Sequence, residues 1–136
     1  MRIVLDTNVI IAAFAGRGLC AEIFEVCLSE HTIVISGHIL SEVREKLTDK
    51  IYIPQKTVQN IIGYLSDIAE IVEPEPIDKS ICRDKDDNKI IGTTTSGNAK
   101  FIITGDYDLL IRKNYKNIGI ITPREFWLLL RQNINK

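Results

Sequence analysis

The chain is poor in cysteine, proline and long apolar runs, and it carries no excess of positive charge; each shortage removes a class of protein. Its three cysteines, Cys20, Cys27 and Cys82, are odd in number and fit neither a disulfide framework nor a zinc spacing. A reducing cytoplasm is the expected location. The longest unbroken apolar run, Val9 to Ala15, is far too short to cross a bilayer, and only three apolar residues separate Arg2 from Asp6. Neither a membrane span nor a signal peptide is expected. With 17 Lys and Arg against 18 Asp and Glu, the formal charge is −1 and the pI about 6.1. Any contact with nucleic acid must then be local or bridged by cations, because bulk attraction is missing. Of the four prolines, only Pro74 and Pro76 stand close together, and they hold an extended connection too short to divide the chain. The remainder, 45% apolar and 26% charged over 136 residues, suits one globular domain spanning 1–136.

Strand-like and helix-like segments alternate. Ile3-Val4-Leu5 reads as a buried strand that stops at Asp6-Thr7-Asn8, with a helix from near Val9. After Gly16 and Gly18 a helix runs from Leu19 to about Ser29, and Ile33-Val34-Ile35 forms a strand ending at Ser36-Gly37. A helix from about His38 to Asp49 buries Ile39, Leu40, Val43 and Leu47, and Pro54 opens another with Val58, Ile61, Ile62 and Leu65 on its apolar face. Ile71-Val72 is a short strand, Lys100 to Thr104 another, and Ile118 to Ile121 a fifth after a turn at Asn114 to Asn117. Thr122, Pro123 and Glu125 supply N-cap, N1 and N3 of a last helix that carries Phe126, Trp127, Leu129 and Leu130. This order predicts an α/β fold whose central, mainly parallel sheet has four to five strands and helices on both faces.

In such a sheet the carboxyl ends of the strands share one edge, where ligands bind. Asp6 follows the first strand, and Asp106 follows the Lys100–Thr104 strand within Thr104-Gly105-Asp106-Tyr107-Asp108. Glu42 borders the buried stripe of its helix, beside Ile39, so it can reach toward that edge. Arg83-Asp84-Lys85-Asp86-Asp87 precedes the helix of Ile90 and Ile91. Acids at a helix N-terminus are explained by its dipole, but on the wheel Asp87 lies on the side of Ile90 and Ile91, and an inward carboxylate needs a partner. Two carboxylates 4 Å apart repel by ~4 kcal/mol at an effective dielectric near 20, so a cluster of four requires protons or cations. Oxygen donors without His or Cys select Mg²⁺ or Mn²⁺, ions that coordinate phosphate oxygens and acidify bound water.

On these residues the chain resembles the PIN-domain family, and within it the toxin components of toxin-antitoxin systems related to VapC. The resemblance is carried by Ile3-Val4-Leu5-Asp6-Thr7-Asn8-Val9, by Glu42, by Arg83-Asp84-Lys85-Asp86-Asp87, and by Ile103-Thr104-Gly105-Asp106-Tyr107-Asp108-Leu109-Leu110. It implies a three-layer α/β/α sandwich and a ribonuclease dependent on Mg²⁺ or Mn²⁺, often held inactive by a cognate antitoxin and often a homodimer. Asp6, Glu42, Asp87 and Asp106 would be the catalytic and metal-binding quartet, with Asp86 the alternative to Asp87. Asn8, Thr104 and Asp108 would support it. Arg112, Lys113 and Lys116, with Tyr115 among them, are read either as a solvated turn or as phosphate contacts beside the acids.

Two rival readings remain. A haloacid-dehalogenase-like phosphatase also opens on a strand ending in Asp-x-Asn, but Asn8 cannot serve as its general acid and the chain has no room for a cap domain. A non-catalytic domain that binds RNA or a protein partner would keep the fold without cleaving.

Overall fold

In the computed structural model, which describes residues 1–16 and 18–134, the alternation resolves into six strands and seven helices. They are β1 (Arg2–Leu5), α1 (Thr7–Ala15), α2 (Leu19–Glu30), β2 (Thr32–Ser36), α3 (Gly37–Asp49), α4 (Gln55–Ile68), β3 (Glu70–Val72), α5 (Lys85–Ser96), β4 (Phe101–Ile103), α6 (Tyr107–Leu110), β5 (Asn114–Tyr115), β6 (Ile118–Ile121) and α7 (Pro123–Ile134). The sheet order is β3-β2-β1-β4-β6-β5, parallel throughout except that β5 runs antiparallel to β6. The expected four to five strands thus become six. Asn114 and Tyr115 pair with Gly119 and Ile118, so half of the expected turn is an edge strand, too short and too polar to show a two-residue period. α6 was not expected either, since four residues carry no helical pattern.

Consecutive residues of the central strands are all buried: Ile3, Val4 and Leu5 in β1, Ile33, Val34 and Ile35 in β2, Ile102 and Ile103 in β4. A strand without a wet face must be covered on both sides, and that is the three-layer sandwich. α5 crosses β1, β2 and β4, while α1 packs on α2 and α3, α3 on α4, and α2 on α7. The extended connection after β3 is anchored on α5, where the Glu75 N–H donates to the Gly92 carbonyl at 3.0 Å. Only glycine allows this approach: a Cβ at position 92 would stand 2.2 Å from the Glu75 oxygen.

The sequence signals at α7 hold in detail. Thr122 Oγ1 accepts from the Glu125 N–H at 3.1 Å, and Glu125 Oε1 accepts from the Thr122 N–H at 3.2 Å. Among the described residues, no helix is long and apolar enough to cross a membrane.

Candidate metal centre at the carboxyl edge of the sheet

β1 is flanked by β2, which precedes the first crossover back, and by β4, nearly a hundred residues later, so the strand order reverses between β1 and β4. A crevice opens outside the strand ends at such a switch point. Leu5 pairs with Ile103, and the Asp6 N–H extends that ladder by donating to the Ile103 carbonyl at 3.0 Å. The residues just beyond the two strands, Asp6 and Thr104, therefore face each other across the crevice.

Asp6 occupies the N-cap of α1, yet its side chain makes no cap hydrogen bond. It turns instead to Thr104, whose Oγ1 donates to Asp6 Oδ2 at 2.6 Å and accepts from the Asp106 N–H at 2.9 Å. One fully buried hydroxyl thus fixes an acid from each strand. Asp106 Oδ1 in turn accepts from the Asp108 N–H at 2.9 Å, capping α6. Burial holds the Asp6 carboxyl above its usual range, against the Thr104 hydrogen bond, and the charge of Asp106 adds to the rise.

α5 supplies the third acid. Its N-cap is Asp84, whose Oδ1 accepts from the Asp86 N–H at 2.8 Å, so the helix end is satisfied without Asp87. Asp87 points inward, 5% exposed, and its buried Oδ2 has no hydrogen-bond partner. Oxygens of Asp87, Asp106 and Asp108 lie within 4.8 Å of one another. Burial, then the adjoining Asp106, then the charges of Asp84 and Asp6 push Asp87 up to about 7. A buried oxygen with no donor, facing two further carboxylates, fits a hard cation.

Glu42 reaches the same edge from α3 but stands in different company. Thr7 Oγ1 donates to Glu42 Oε1 at 3.0 Å, which ties it to the residue after Asp6. Its close ionic neighbours are His38, one turn earlier, and Asp86. The two candidates for the third acid therefore divide: Asp87 joins Asp106, and Asp86 joins Glu42. Burial raises the Glu42 carboxyl, the Thr7 hydrogen bond opposes the rise, and the Asp86 charge adds to it.

The supporting residues fare unevenly. Thr104 and Asp108 lie in the cluster. Asn8 is turned outward, where its Oδ1 accepts from Lys46 Nζ at 3.0 Å, and this leaves no general acid two residues after Asp6 of the kind a phosphatase reading requires. Arg112 stays near the acids, with its guanidinium donating to the Ile81 carbonyl in a loop whose Cys82 feels the charges of Asp87, Asp106 and Asp108. Lys116 does not lie beside the acids. The β5–β6 hairpin turns at the opposite edge, where Lys116 lines a hollow with Lys100 and Asn98, because an antiparallel return carries the chain away from the carboxyl ends. His38 and Lys46 were missed as site residues. The i, i+4 spacing of His38 and Glu42 on one helix was the available signal.

A PIN-domain family model matches residues 2–108. The chain is 31% identical over 140 aligned positions to the uncharacterized protein MJ1680 of Methanocaldococcus jannaschii, covering 93% of this chain and 89% of that protein. Among solved structures it is similar to VapBC2 from Rickettsia felis, solved bound to a DNA fragment from their promoter, with TM-score 0.62 and 18% identity over 88% of this chain and 97% of the matched one. It is also similar to VapBC-1 from nontypeable Haemophilus influenzae, with TM-score 0.63 and 19% identity over 91% of this chain and 99% of the matched one.

Proposed function

The chain belongs to the PIN-domain family, and from that premise we propose that it is a divalent-metal-dependent endoribonuclease, the toxin of a toxin-antitoxin pair. The observation that carries the reading is the convergence of Asp6, Asp87 and Asp106 from three separate segments, with a buried Asp87 oxygen left unpartnered. Asp6, Asp87 and Asp106 would hold Mg²⁺ or Mn²⁺, with Asp108 beside them and Glu42 at the flank. The ion supplies charge for the phosphate oxygens and an acidified water. Thr104 keeps the first and fourth acids in register, so the ligand oxygens are ordered before substrate arrives. The carboxylates would orient the attacking water and one would take its proton, while the leaving oxygen would be protonated from solvent. Arg112 would meet a neighbouring phosphate.

The likeness to two VapBC structures supports a protein antitoxin as partner, and the exposed Leu128 beside the apolar groove of Val26, Trp127 and Leu130 supports a homodimer. Cleavage of single-stranded and structured RNA with Mg²⁺ or Mn²⁺ tests the activity. Asp6→Asn and Asp87→Asn should each lower the rate by at least ~100-fold while the fold is retained. Equal rates for wild type and both variants, or no cleavage with either ion, would remove the nuclease reading in favour of a binding domain. Solution mass checks the dimer, and co-purification with the product of the adjacent reading frame checks the antitoxin.

A further inference from the structure

Beside the acids just described lies a cluster of different chemistry. His38 Nε2, on the first turn of α3, stands 3.4 Å from Glu42 Oε1 and 3.2 Å from Asp86 Oδ1. That nitrogen is shielded from solvent and makes no hydrogen bond. The spacing suits a shared ion. Donors bound to one cation at ~2.1 Å and separated by 90° to 109° stand roughly 3.0 to 3.4 Å apart, which brackets both measured distances. α3 and α5 each turn an N-terminus toward the cluster, worth about half a positive charge apiece, and Lys46 and Lys50 add positive charge, but Glu42, Asp86, Glu45 and Asp49 outweigh them. A cleft of about 220 Å³ lined by Glu42, Glu45, Lys46, Asp49, Lys50 and Asp86 opens alongside, with room for the waters that complete a coordination shell.

We propose that His38, Glu42 and Asp86 form a second cation site, separate from the Asp87–Asp106 cluster, that takes a first-row transition dication such as Mn²⁺ in preference to Mg²⁺. The preference follows from the donor set: imidazole nitrogen suits Mn²⁺ and its heavier neighbours, whereas Mg²⁺ favours oxygen and keeps its waters. The site adjoins the proposed nuclease centre through Glu42 and the Thr7 hydrogen bond, so the inference rests on that reading for its use but not for its binding.

Mn²⁺ added to the purified full chain, followed by electron spin-echo spectroscopy for nitrogen coupling, tests it. Wild type and the Asp87→Asn/Asp106→Asn double variant should both show Mn²⁺ coupled to a ring nitrogen. His38→Gln should lose the coupling, and its preference for Mn²⁺ over Mg²⁺ in competition should fall at least tenfold. Mn²⁺ bound without nitrogen coupling in wild type overturns this site and leaves the acidic centre standing. Coupling that survives His38→Gln assigns the nitrogen to His31, which sits against the Met1 amine, and also overturns it. No Mn²⁺ binding to wild type overturns this site, while the nuclease reading stands or falls separately on RNA cleavage with Mg²⁺.

Discussion

Removing a charge from the centre should make the metal-free protein more stable. Asp87 and Asp106 carry oxygens within 4.8 Å of each other, and two full charges at that distance repel by about 3 kcal/mol at an effective dielectric of 20. Solvent at the open side of the crevice cuts this by roughly half, leaving ~1 to 2 kcal/mol for Asp87→Asn to release. The pH dependence has a definite sign. Asp87 is raised from 3.8 to about 7, so its proton is bound more tightly in the native state than in the unfolded chain. Its contribution is fully present below pH 3.8 and is lost as pH rises through about 7. Wild type and Asp87→Asn should therefore unfold alike near pH 4 and separate as pH rises, with the variant ahead by roughly 5 °C at pH 8 in a chelator. Adding Mn²⁺ should reverse the order, because the ion stabilises only the chain that binds it. Thermal unfolding at pH 4 and 8, with and without Mn²⁺, is the assay. A variant no more stable than wild type at pH 8 without metal would show that the acids do not strain one another, and the electrostatic case for a cation would fail.

Thr104→Val should cut RNA cleavage by about 10- to 100-fold and cost ~1 to 3 kcal/mol, since it strips the partner from Asp6 Oδ2 and from the Asp106 N–H together; retained full activity would show that the hydroxyl is not needed to align the acids. Gly92→Ala should destabilise by ~1 to 3 kcal/mol in denaturant unfolding, because the new methyl meets the Glu75 backbone; an unchanged midpoint would contradict the close packing of that connection. Lys46→Met removes a positive charge felt by both Asp6 and Glu42 and should tighten Mn²⁺ binding severalfold by calorimetry, by less as salt rises; unchanged affinity at low salt would place the amine outside the field of the site.

The parts of the fold that were legible are those written in short-range pattern. β1, β2 and β4 show as apolar runs stopped by polar residues, and the capping box of Thr122 and Glu125 marks the start of α7 to the residue. The helical wheel turned Asp87 inward, and the structure does bury it. β5 and α6 are two and four residues long, and only their neighbours make them regular. The wheel also brought Glu42 to the correct edge but could not say which acids it meets, since that depends on how far α3 and α5 extend past the sheet. Lys46 escaped notice because nothing local shows that Asn8 lies opposite it.

β1 lies between β2 and β4 in the sheet, and it is synthesised well before β4, which begins only at Phe101. At about 5 to 20 residues per second, synthesis leaves Asp6 waiting on the order of 5 to 20 s before Asp106 exists. With the four acids acting as proposed, the growing chain would be harmless to RNA for that interval, and a nascent chain broken off before Asp106 would never acquire the means to cut.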